Sequence, residues 1–207
     1  KTTGQVKFGD DVAPSDCLEI VVLRAPFHHA AFEFGDFDSY QHRYGLDAIL
    51  TAQDVKGKNV FGVIPGFMDQ PVFAENFARF KGEAVAALVG EPAILRDISL
   101  TDFPVSWKEK TSYHTSADAQ KDGASQLHDA HPQNIMCKGY VSRGKAHDAL
   151  KAADVVVSGR FRTSIVEHGY IEPEAGFAEI KDGRLEIHAS TQAPVMDLDS
   201  LQEILAI

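Results

Sequence analysis

The chain has 207 residues, enough to bury roughly 70% of the surface its unfolded form would expose, which allows one domain and part of another. Its formal net charge of -10 repels polyanions, and the one dense basic run, residues 108–110, is interrupted by Glu109, so a nucleic-acid partner is not expected. Two cysteines, Cys17 and Cys137, are too few for a thiolate zinc cluster or an iron–sulfur centre, and both are read as reduced.

No apolar run is long enough to span a bilayer, so no membrane segment is expected. No signal-peptide pattern opens the chain, which begins KTTGQVKFGDD, and a cytoplasmic location is the default expectation.

Residues 17–23 (CLEIVVL) are apolar and rich in β-branched side chains, which predicts a buried strand ended by Pro26. Residues 37–44 predict a short helix broken by Gly45, followed by a brief apolar segment at 48–50. Thr51 then opens TAQD, an N-cap with an acid three residues on, the pattern of a capping box; Gly57 closes that turn. Residues 60–64, interrupted by Gly62, and residues 84–89 read as strands, and 93–95 as a short helical link. Residues 105–107 predict another strand, with Pro104 placing it at a strand start or an edge. Short strands mixed with short helices predict an α+β fold.

Residues 112–144 are polar and irregular in pattern, a length of connection that is uncommon unless it serves a function. His114, His128 and His131 lie in it and His147 just beyond; no cysteine or acid near His128 and His131 completes a metal set, and no metal site is expected. Residues 145–153 predict a helix with Ala149, Leu150 and Ala153 facing inward. Residues 155–157 and 159–163 resume strand character. Residues 177–180 and 185–189 flank KDG, a hairpin signal. The closing SLQEILAI reads as the start of an amphipathic helix, with Leu201, Leu205 and Ile204 apolar and no C-cap after it.

The candidate chemical residues cluster late. Gln192 offers a neutral amide after a strand, suited either to satisfying backbone groups or to orienting a ligand without adding charge. Glu167, His168, Glu172 and Glu174 form an acidic group with one imidazole; Pro173 keeps the backbone between the last two extended or turned. His28 and His29 would point to opposite faces of a strand, which argues against joint ligation. Neither GxGxxG nor GxxxxGK[ST] occurs, so a phosphate loop is not expected.

Several separated segments share one order with a known family: VVLRAPFHHAAF (21–32), GLDAILTAQDVKGKNVFG (45–62), DQPVFAENFARFKGEAVAALVG (69–90), the long stretch 143–179, EHGYIEPEAG (167–176) and HASTQAP (188–194). Together they resemble the molybdenum hydroxylases, the xanthine dehydrogenase and aldehyde oxidoreductase family. Ala25 stands where the family has serine and Gly169 where most relatives have alanine. The resemblance implies a hammerhead-like α+β domain over residues 1–110, a linker with a short helix over 111–152, and the start of a molybdopterin-binding domain over 153–207. It also implies that the chain is the front part of a larger enzyme. Gln192 would then be the catalytic and cofactor-binding residue, beside the molybdenum, with Glu167, His168 and Glu172 near the site or structural, and His29 structural. The implied activity is hydroxylation of an aromatic heterocycle or oxidation of an aldehyde, with water as the oxygen source. Most of the molybdenum–molybdopterin grip and the base glutamate would lie outside these residues, so activity of the chain alone is not expected. An iron–sulfur subunit, a flavin centre and the remainder of the molybdopterin-binding polypeptide are the implied partners. The alternative is a non-catalytic structural or interaction module derived from the family.

Overall fold

The structure, a computed structural model, describes residues 3–207. A four-residue helix, α1 (Gly9–Val12), precedes the first strands, β1 (Glu19–Arg24) and β2 (Ala30–Phe34). Helix α2 (Phe37–Tyr44) leads to β3 (Ala48–Leu50), and a long irregular stretch then reaches β4 (Phe77–Ala78) and β5 (Ala84–Gly90). Helix α3 (Pro92–Arg96) and strand β6 (Val105–Glu109) complete this part. The polar connection carries α4 (Ser116–Ala119) and α5 (Ala146–Ala152), and the chain closes with β7 (Gly176–Lys181), β8 (Arg184–Ala189) and α6 (Pro194–Leu205).

The strands form open sheets. In the first, β5 lies between β1 and β3, antiparallel to both. Val85, Ala86 and Leu88 on β5 are wholly enclosed, because a central strand covered on both faces tolerates a continuous apolar run. In the second sheet β2 lies between β4 and β6. Strand β6 is therefore an edge, the position Pro104 predicts, since proline cannot donate to a ladder. Phe32, Phe34, Phe37, Tyr40, Phe103 and Trp107 pack against one another beside this sheet, with neighbouring ring centroids 5.1–6.2 Å apart.

Local chemistry fixes the connections. The Asp36 carboxylate accepts from the Asp38 N–H and caps α2, and Gly45, at φ 68°, ends it by donating to the Gln41 carbonyl. The capping box at Thr51 and Asp54 forms as the sequence predicts: the Asp54 carboxylate accepts from the Thr51 N–H at 2.7 Å. Buried His29 donates from Nδ1 to the Thr111 carbonyl at 2.8 Å, which ties β2 to the segment after β6. Cys17 and Cys137 are free thiols.

Glu83 is the anomaly of this core. Only 2% exposed, it accepts from the Arg79 N–H through Oε2, while Oε1 has no partner among the described residues. Burial outweighs that bond and the nearby Arg79 guanidinium, and pushes the carboxyl pKa up. A raised folded-state pKa means that this group's contribution to stability is present below the unfolded value. It is lost as pH rises through the folded value. Glu83→Gln should therefore raise stability at pH 8 by about 1 kcal/mol, a gain that shrinks towards pH 4, in denaturant titrations at the two pH values. A variant equally destabilised at both would contradict this origin.

Four expectations from the sequence differ from the structure. The first strand forms as β1 but is not buried as a whole: Leu23 is enclosed, while Ile20 is 62% exposed on an edge of its sheet. Residues 60–64 form no strand: Phe61 bridges Gln70 alone, Gly62 packs against Met68, and Pro65 with Gly66 at φ 87° turns the chain back. Residues 155–163 form no strand either, with Val155, Val157 and Phe161 exposed at 78%, 88% and 95%. A strand needs an edge to pair with, and among the described residues none reaches this segment. Helix α5 forms, but Leu150 is 55% exposed, so its apolar side meets no partner among the described residues.

The hairpin turns on Asp182 and Gly183, both at positive φ (50° and 76°), the geometry that suits the twist of paired strands. Helix α6 begins at Pro194, earlier than SLQEILAI suggests, because proline is pre-shaped for the first helical position. Ala206 supplies a left-handed cap at φ 58°, which the sequence does not announce.

Candidate functional site

The segment from Ser190 to Pro194 leaves β8 and enters α6, and its side chains divide the work. The Ser190 hydroxyl reaches back to Glu172 Oε1 at 3.1 Å and the Pro173 carbonyl at 3.2 Å. Thr191 Oγ1 accepts from the Ala193 N–H at 2.9 Å and donates to the Asp197 carboxylate. These bonds hold the backbone on either side of Gln192. Gln192 itself is exposed and makes no hydrogen bond among the described residues.

The four candidate residues are thus only partly gathered. Glu172, half-buried, joins the Gln192 segment through Ser190. Glu167 accepts from the N–H groups of His168 and Gly169, at 3.0 and 3.4 Å, and so closes a local turn. His168 stacks on Tyr170 with centroids 5.6 Å apart and planes within 9°. Both Glu167 and His168 are exposed, and among the described residues no hydrogen bond links them to Gln192.

An apolar cavity of about 320 Å³ lies between the hairpin and α6, lined by Leu185, Ile187, Pro194, Leu198 and Leu201 among others. A second, of about 410 Å³, continues towards Leu50, Val55, Val72 and Phe73. The far end of α6 is fixed to the first part of the chain. The Gly57 N–H donates to the Ile204 carbonyl at 2.9 Å and the Lys58 N–H to the Glu203 carbonyl at 3.0 Å. Lys58 Nζ also pairs with Glu203 at 3.1 Å. The sequence marks Gly57 as a turn residue and carries no signal for this contact, which depends on segments far apart along the chain.

Nor does the sequence place an acid beside His128 and His131. The structure supplies Asp69 from far upstream, its Oδ2 3.7 Å from His128 Nδ1 and from His131 Nε2. Arg79 donates to the Leu127 carbonyl beside them at 3.1 Å, and burial, reinforced by Arg79, pushes the His128 pKa down. A guanidinium at this position favours a docking contact for the polar connection over a cation site.

Residues 127–207 match the family model of the molybdopterin cofactor-binding domain. The chain is 29% identical over 208 aligned residues to a probable xanthine dehydrogenase component of Bacillus subtilis (strain 168), covering 100% of this chain and 27% of that protein. It is 27% identical to the nicotinate dehydrogenase large molybdopterin subunit of Eubacterium barkeri, covering 100% of this chain and 48% of that one. The fold is similar to that of the aldehyde oxidoreductase from Desulfovibrio desulfuricans ATCC 27774, with a TM-score of 0.86 at 23% identity, covering 99% of this chain and 24% of that one. The chain therefore spans between about a quarter and a half of the length of these relatives. No described helix is long and apolar enough to cross a membrane.

Proposed function

We propose, for a chain that matches the molybdopterin-binding domain of xanthine dehydrogenase and aldehyde oxidoreductase family members, that it forms part of a molybdopterin-dependent oxidoreductase. The reaction is hydroxylation of an aromatic heterocycle or oxidation of an aldehyde, with water as the oxygen source. The observation that carries this reading is Gln192: exposed, unbonded among the described residues, and held from both sides within the segment that matches the cofactor-binding domain.

The residues present fit part of the cofactor. Molybdenum bears anionic oxygen and sulfur ligands, and a primary amide donates to such ligands without adding charge. Ser190 and Thr191 spend their hydroxyls on the protein, so Gln192 is the side chain of this segment left to bind. When bound, the molybdenum centre supplies two-electron oxidation of the substrate carbon. Gln192 orients a ligand or the substrate, Ser190 fixes Glu172 against the segment, and Thr191 sets the entry of α6. Glu167 and His168 shape the approach to the site and take no part in bond making.

Most of the cofactor grip comes from polypeptide beyond these residues. The large apolar side chains of residues 155–171 are exposed, Phe161, Ile165 and Ile171 at 84% to 103%, an arrangement that a covering polypeptide would bury. Residues 1–110 serve as the hammerhead-like domain, 111–152 as the linker and 153–207 as the start of the cofactor domain. An iron–sulfur subunit, with or without flavin, carries electrons away. The test is isotopic: turnover of heterocycles and aldehydes by the cofactor-loaded protein in ¹⁸O-labelled water should place the label in the product. Label arriving instead from ¹⁸O-labelled dioxygen would overturn the assignment.

A further inference from the structure

The β7–β8 hairpin presents two unlike faces. One carries Ala178, Ile180, Leu185 and Ile187; the other carries Phe177, Glu179 and Lys181 opposite His188, Glu186 and Arg184. Glu179 and Glu186 are direct cross-strand partners. Like charges placed so are destabilising, and a sheet normally separates them or pairs each with a cation. Lys181 and Arg184 lie next along the same face, yet neither forms an ion pair with these carboxylates among the described residues. Both carboxylates turn instead to one atom: Nε2 of His188 lies 3.7 Å from Glu179 and 3.8 Å from Glu186. The imidazole is held for this by stacking on Phe177, with centroids 4.4 Å apart and planes within 10°.

One nitrogen and two carboxylate oxygens thus lie within 4.8 Å of one another on a single hairpin. That separation is somewhat wider than the ligand spacing around a bound ion, whose bonds are about 2.0–2.2 Å, and rotation of the two glutamate side chains closes it. Two carboxylates and an imidazole suit a borderline divalent ion, and the carboxylate charge balances it. We propose that Glu179, Glu186 and His188 form a binding site for a divalent transition-metal ion of the zinc type, open on its solvent side. This site is separate from the Gln192 segment and does not depend on the function proposed above.

The experiment is equilibrium dialysis of zinc ion against the full chain and four variants. The unmodified chain should take up one zinc ion that His188→Ala loses, and Glu186→Gln and Glu179→Gln should each weaken binding at least tenfold. Lys181→Gln, on the same face but offering no ligand in the set, should bind zinc as well as or better than the parent. Equal uptake by the parent and the three ligand variants, or no uptake by the parent, would overturn the proposal.

Discussion

Replacing Gln192 by alanine should leave the fold unchanged and lower the turnover of the molybdenum-loaded enzyme by about a hundredfold, the usual cost of one positioned donor at a reacting centre. The first half of that expectation follows from its surroundings. Gln192 is exposed and makes no hydrogen bond among the described residues, so its loss should change stability by no more than about 0.5 kcal/mol. The second half follows from the proposed role. An amide that donates to an anionic ligand or to the substrate loses that donation entirely when truncated, and Gln192→Glu should do worse by adding a like charge. Steady-state kinetics on both variants, with molybdenum content measured alongside, separates lost chemistry from lost cofactor. Full activity in Gln192→Ala at full molybdenum occupancy would remove this residue from the site.

Gly57→Ala should release the end of α6 from the first part of the chain. A Cβ at this position would lie well inside van der Waals contact with the Glu203 carbonyl oxygen and 2.9 Å from that of Ile204. Neither atom belongs to a flexible side chain, so the helix end must move. Two backbone hydrogen bonds to the last carbonyls of α6 are then lost, along with the exposed pair between Lys58 and Glu203. The sum is about 2–3 kcal/mol, most of it from the backbone bonds. Hydrogen exchange at the Lys58 amide and along α6 should accelerate by a factor of about 30 or more, while β5 stays protected. Lys58→Ala, which removes only the exposed pair, should have a much smaller effect. Unchanged exchange in Gly57→Ala would mean that this contact does not hold α6.

What could be read from the sequence follows the range of the forces involved. Helix α2, ended by Gly45, and the Thr51–Asp54 box rest on neighbours within a few residues, and both are readable from the sequence; the Asp36 cap of α2 is seen only in the structure. The hairpin turn at Asp182 and Gly183 is readable too. The centre of the first sheet was legible because residues 84–89 are apolar without a break. Strand β2 carries no comparable signal, since AAFEF alternates only weakly and draws its order from β4 and β6 on either side. Residues 155–163 carry the β-branched composition of a strand but have nothing to pair with among the described residues, and composition cannot report a missing edge. At the candidate site, the motif around Gln192 stood out, while the bonds from Ser190 to Glu172 and from Gly57 to α6 depend on tertiary approach and left no local trace. The same holds for Asp69, which joins His128 and His131 only after the chain has folded.

The most direct test of the central claim is native mass spectrometry of the polypeptide carrying this sequence, isolated from its natural source, with molybdenum and pterin quantified in the same fraction. The expected result is an assembly that contains molybdenum and pterin in equal amounts, about one of each per copy of this sequence, together with an iron–sulfur subunit. A polypeptide that carries neither molybdenum nor pterin, in a fraction that retains its native partners, would contradict it.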